Sequence, residues 1–157
     1  MNLFWDSSAL LSLVFSESSS LSAREAWDLS VLDLGWRWLE VEAVAGATRR
    51  RASPAQWSLL EQYLSQIRLI DLEKEKIPDL CAHNREWGLR AADAGHVYVF
   101  KEVTPYMPHL EMVCFDREIR TVVWRLGFLI WGDKPDGFGL ARERRADYRT
   151  KKKKEQT

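Results

Sequence analysis

Four carboxylates stand where charge is unexpected. Asp6 interrupts the stretch "LFWDSSALLSLVF", between the apolar run Leu3 to Trp5 and a second run that starts at Ala9. An unpaired carboxylate buried there costs roughly several kcal/mol, even after relaxation. Asp6 is therefore a turn residue, a helix cap, or one member of a charged site that compensates it. Asp116 closes the apolar stretch "LEMVCFD" in the same way. Asp93, in "GLRAADAGHVYVFKEV", lies four residues after Leu89 and three before His96, on a largely apolar helical face. Glu42, in "WLEVEAVAGATRR", lies four residues after Trp38 and three before Ala45, on the flank of an apolar stripe. Glu40 points elsewhere and is expected at the surface. Clustered carboxylates repel unless a cation compensates them, and oxygen-only donors suit Mg²⁺ or Mn²⁺.

The elements that must position these acids alternate in type. Residues 2–5 read as a short buried strand, with Ser7 or Ser8 capping the helix that follows. A helix over about Leu21 to Leu29 leads to the strand "SVLDL", and a second helix runs from Trp38 to Arg51, closing on Arg49, Arg50 and Arg51, where cations suit a helix C-terminus. Pro54 opens a helix that places Trp57, Leu60, Leu64 and Ile67 on one face. "IRLIDL" is a strand. Helices follow around Pro78 and from Leu89 to Val103. After the strand ending at Asp116, Ile119, Val122, Val123 and Leu126 mark another helix, Gly127 ends it, and "FLIW" is the last strand. Strands alternating with helices predict an α/β fold with a mostly parallel sheet covered on both faces. In such a sheet, ligands bind beyond the carboxyl ends of the strands, where Asp6 and Asp116 fall.

A chain of 157 residues that is 46% hydrophobic and 29% charged fits one domain with a real core. The apolar N-terminus has no basic leading segment and contains Asp6, which argues against a signal peptide, and no stretch reaches membrane-spanning length. Cys81 and Cys114 form no CxxC or CxxH pair, so a reduced, cytoplasmic chain is expected. His83, His96 and His109 have no recognised zinc-ligand spacing, and His96 is expected to pack beside the acids. Most of the tryptophans, such as Trp5, Trp57 and Trp124, are expected in the core. The net charge of zero hides an asymmetry. Residues 141–157 carry eight Lys and Arg against three acids, and residues 1–140 carry fifteen against twenty. This divides the chain into a folded body, 1–140, and a basic tail, 141–157, which is either a solvated end or a guide for a polyanion.

The ordered segments "FWDSSAL", "EVEAVAGATRR", "LRAADAGH" and "VCFDREI" resemble PIN-domain ribonucleases, and most closely the VapC-type toxins of toxin–antitoxin pairs. The resemblance covers residues 2–131. It implies a PIN-like three-layer α/β/α fold. It places the family's metal-binding, catalytic acids on Asp6, Glu42, Asp93 and Asp116. It also implies one or two Mg²⁺ (or Mn²⁺) ions and hydrolysis of RNA to a 5′-phosphate and a 3′-hydroxyl. The implied partners are an RNA substrate, an inhibitory antitoxin and a second copy in a homodimer, with no membrane. Two positions depart from the family. Cys114 stands where a Thr is usual, and Gly95 stands where a Leu is preferred, at a helix cost of about 1 kcal/mol.

Three rivals make different demands. A non-catalytic binding module of the same fold predicts a missing carboxylate, and all four are present. A phosphoacceptor receiver domain needs an acidic pair after the first strand, which offers Asp6 alone. An RNA-processing nuclease without an antitoxin uses the same four acids and stays open.

Overall fold

The computed structural model describes residues 1–133. The basic tail at 141–157 and the boundary at 140 lie outside them. Five strands form one sheet: β1 (Asn2–Trp5), β2 (Leu32–Trp36), β3 (Arg68–Ile70), β4 (Leu110–Val113) and β5 (Leu129–Ile130). Their order is β3-β2-β1-β4-β5 and every pairing is parallel. Seven helices connect them: α1 (Ser7–Val14), α2 (Ser20–Leu29), α3 (Trp38–Arg49), α4 (Pro54–Gln66), α5 (Ile77–Trp87), α6 (Ala91–Val103) and α7 (Arg117–Arg125). This is a three-layer α/β/α fold. No described helix is long and apolar enough to cross a membrane.

The strands show why both faces must be covered. Side chains alternate along a strand, so Leu3 and Trp5 of β1 enter one core while Phe4 enters the other. The first core adds Ala9, Leu10 and Leu13 of α1, Ala23 and Ala26 of α2, Leu39, Ala43 and Ala47 of α3, and Leu60 of α4. The second takes Leu110 and Met112 of β4, Val97 and Phe100 of α6, and Ile119, Val122 and Val123 of α7.

Several boundaries differ from the sequence reading for local reasons. The cap of α1 is Asp6 itself, whose side chain accepts from the Ala9 amide; Ser7 and Ser8 lie inside the helix. β2 continues to Trp36, two residues beyond the predicted strand, because β1 and β3 both pair with it. Within it Asp33 accepts from the Trp5 indole at 2.6 Å and from Ser30 Oγ at 2.6 Å. α6 begins at Ala91, since Arg90 is extended (φ −60°, ψ 154°). α4 is capped reciprocally by Ser53 and Gln56, with Pro54 in its first turn.

Two aromatic residues are not where the sequence placed them. Trp124 is 57% exposed, because it turns away from the buried stripe of Ile119, Val122 and Val123. Trp38 is 46% exposed; the buried face of α3 is Leu39, Ala43, Gly46 and Ala47 instead.

The glycine at position 95 has a packing cause. A Cβ there would collide with the six-membered ring of Trp36. The helix gives up propensity so that the end of β2 can lie against α6.

Candidate active site

The order of the strands turns back between β1 and β4. From β1 the chain moves outward through β2 and β3, then returns to place β4 on the other side of β1. Their carboxyl ends therefore meet at a switch point, where open parallel sheets bind ligands. Trp5 pairs with Val113, so the next residues, Asp6 and Cys114, face each other. Alternation turns both toward the side of Phe4 and Met112, the side of α6.

Asp6 is buried and its carboxylate is fully engaged. One oxygen accepts from the Ala9 amide at 3.0 Å and from Ser8 Oγ at 2.8 Å. The other accepts from Cys114 Sγ at 3.1 Å. Ser8 Oγ also accepts from the Phe115 amide at 3.0 Å, which ties the start of α1 to the end of β4. All these donors are neutral. Burial raises the Asp6 carboxyl above its ordinary value of 3.8, and nearby His96 and the hydrogen bonds from Ala9, Cys114 and Ser8 oppose that shift only in part. The Cys114 thiol is pushed well above its ordinary range by burial and by the Asp6 charge, so it stays protonated and donates.

Asp116 caps α7. Its Oδ1 accepts from the amides of Glu118 (2.8 Å) and Ile119 (3.2 Å), leaving Oδ2 turned to Arg90. Asp93, in the first turn of α6, accepts from Arg90 Nε at 2.6 Å; Arg90 Nη2 donates to Asp116 Oδ2 at 3.3 Å. Burial raises the Asp93 carboxyl, Arg90 opposes this, and the charges of Asp116 and Glu42 add to the rise. Glu42, on α3, meets His96 Nε2 at 2.6 Å. The His96 ring is buried, packs edge-on against Trp36, and its Nδ1 has no hydrogen-bond partner among the described residues. Glu40 is exposed, two residues before Glu42 on α3 and so on roughly the opposite side of that helix.

Each of the four acids, from four separate places in the chain, has a close side-chain partner: Cys114 for Asp6, Arg90 for both Asp93 and Asp116, and His96 for Glu42. Cys114 reaches toward Asp116 as well, with Sγ 3.6 Å from its carbonyl oxygen.

No protein-family model matches the chain, and no curated protein matches it.

The donor chemistry fits a hard divalent cation. Every candidate ligand is a carboxylate oxygen, two of the carboxyls are pushed upward, and among the described residues Arg90 bonds to Asp93 and Asp116 while no cationic side chain bonds to Asp6. As the side chains stand, no three His, Cys, Asp or Glu among the described residues are close enough to close around an ion.

Sequence reasoning missed Arg90 and the second role of Ser8. Arg90 had a signal, since it stands three residues before Asp93, the spacing of neighbours on a helix face. Ser8 had none, because its partner is 107 residues away.

The raised Asp6 carboxyl has a measurable consequence. The folded chain holds that proton more tightly than the unfolded chain does. Asp6 therefore contributes stability that is present at and below pH 3.8 and lost as pH rises to its higher folded value. Urea midpoints of the parent and of Asp6→Asn should diverge across that interval, with Asp6→Asn the more stable at neutral pH. Asn also caps helices well, so α1 keeps its start. Equal pH profiles would mean that Asp6 is not held in a destabilised, buried state.

Proposed function

We propose that the protein is a divalent-metal-dependent endoribonuclease, the toxin of a toxin–antitoxin pair related to the VapC-type PIN ribonucleases. The observation that carries this reading is that Asp6 and Asp116 follow the adjacent strands β1 and β4 at the switch point, with Asp93 tied to Asp116 through Arg90 and Glu42 adding to the charge that Asp93 feels. The order of motifs in the chain supports it.

Asp6, Glu42, Asp93 and Asp116 would hold Mg²⁺ or Mn²⁺. When bound, such a cation supplies an activated water and neutralises charge that develops on the scissile phosphate. The chain supplies the rest. Ser8, Cys114 and the Ala9 amide fix both oxygens of Asp6, while the first turn of α7 holds one oxygen of Asp116 and leaves the other open to the site. His96 aims Glu42, and the stacked rings of Trp36 and Trp38 shield that pair from one side. RNA is the substrate in this reading. An antitoxin and a second copy of the chain are its protein partners, and the exposed apolar residues Trp38, Val41 and Val44 on α3 suit such contacts.

The test compares two neighbouring acids. Glu42→Gln should lower Mg²⁺-dependent cleavage of RNA by more than about 100-fold, since loss of groups that merely support a ligand already costs about 10–100-fold. Glu40→Gln should leave the rate within about 2-fold of the parent, as a surface change away from the site. The reverse pattern, or no cleavage of any RNA by the parent with Mg²⁺ or Mn²⁺, overturns the reading.

A further inference from the structure

The geometry points to Arg90 as a residue with two positions: counter-ion to Asp93 and Asp116 in the free protein, and phosphate ligand of the RNA once a divalent cation takes those carboxylates. This rests on the ribonuclease reading above and adds a residue to it.

Three observations carry the assignment. Arg90 donates from two different nitrogens, Nε to Asp93 and Nη2 to Asp116, so one guanidinium spans the two acids. A planar fork suits that geometry, and a guanidinium suits phosphate equally well. Second, the side chain is 72% exposed despite these bonds. It leans on the acids from the solvent side, where a polyanion would approach. Third, the oxygen of Asp116 that Arg90 engages is the one left free by the α7 cap. Arg90 thus occupies the acceptor that a cation would use.

The backbone favours a swing between two positions. Arg90 precedes α6 in an extended conformation, so its side chain is not packed along a helix face. Asp93, three residues later, is anchored in the first turn. The carboxylates can stay in place while the guanidinium leaves.

A plain organising role and the two-position role predict opposite signs. If Arg90 only arranges the acids, its removal loosens them and weakens metal binding. If it is a resident counter-ion, its removal frees both carboxylates and tightens metal binding. Calorimetric titration of Mn²⁺ into the full-length parent, Arg90→Gln and Arg90→Lys reads that sign, with Asp93→Asn as the control that loses the site. The expected result is Mn²⁺ binding about 3–10-fold tighter in Arg90→Gln, a range set by two charge-assisted contacts at a largely exposed residue. Arg90→Lys, which keeps the charge but loses the fork, should fall between the two. At saturating Mn²⁺, KM for RNA should rise on the order of 10-fold in Arg90→Gln, and the slope of log KM against log salt should flatten by about one unit.

Unchanged or weaker Mn²⁺ binding in Arg90→Gln overturns the proposal, as does tighter Mn²⁺ binding with KM and salt slope unchanged. Failure of the underlying reading looks different. A parent that binds Mn²⁺ through Asp93 but cuts no RNA loses the ribonuclease and, with tighter binding in Arg90→Gln, keeps the counter-ion. No Mn²⁺ binding in the parent or in Arg90→Gln overturns both.

Discussion

Asp93→Asn and Asp116→Asn should each lower metal-dependent RNA cleavage by more than about 100-fold while the chain stays folded. The two halves of this expectation have separate causes. Activity falls because a carboxamide oxygen is a weaker donor to Mg²⁺ than a carboxylate and brings no charge to the site. The fold survives because each Asn keeps what the structure asks of that position. At 116 it still accepts the amides of Glu118 and Ile119 and caps α7; an alanine there would cost about 1 kcal/mol in the cap alone. At 93 it still accepts from Arg90 Nε, and it removes a charge that Asp116 and Glu42 oppose. Thermal midpoints close to the parent's, together with single-turnover rates on labelled RNA, check both halves. Either variant cutting at the parent's rate would remove that residue from the reaction.

The second large effect is on stability. Gly95→Leu should destabilise this chain by about 3 kcal/mol or more, with Gly95→Ala costing about 1–3 kcal/mol. Helix propensity alone has the opposite sign, favouring alanine over glycine by about 1 kcal/mol. The collision decides the outcome, because the first atom of any side chain meets the Trp36 ring, which also stacks against Trp38 and packs on His96. Trp36→Ala should therefore rescue Gly95→Leu in part. Denaturant midpoints of the two single variants and the double variant form the cycle; strict additivity would show that Trp36 is not what position 95 accommodates.

The same pair shows where sequence reasoning stopped. Element types were legible throughout, because period and punctuation are local: Pro54 opens α4, Gly127 follows α7, and a short continuous apolar run marks β1. The four carboxylates were legible as anomalies, since charge in an apolar run needs a partner. Their supporting groups were not. Gly95 read as a weak point in a helix, and only the position of Trp36, nearly sixty residues earlier, turns it into a requirement. Cys114 read as a substitution for Thr, and only the pairing of Trp5 with Val113 reveals that its thiol serves Asp6. Trp124 is expected in the core from the apolar face it shares, and Trp38 on the apolar stripe beside Glu42, but that spacing does not say which side of α7 or α3 is covered.

The pairing of β1 with β4 also bears on how the chain acquires its structure. β1 meets β2 across about thirty residues, but it meets β4 across 108, the separation of Asp6 and Cys114. Loop closure over that distance is slow compared with local pairing. A chain emerging from the ribosome can thus form β1, β2 and β3 with the helices between them while one edge of β1 remains open. That edge is an aggregation hazard until β4 fills it. The Asp6 carboxylate meanwhile lacks Cys114, and Asp93 lacks Asp116 across Arg90. Assembly of the four acids is then among the last events of folding, and a nascent chain released early carries no complete set.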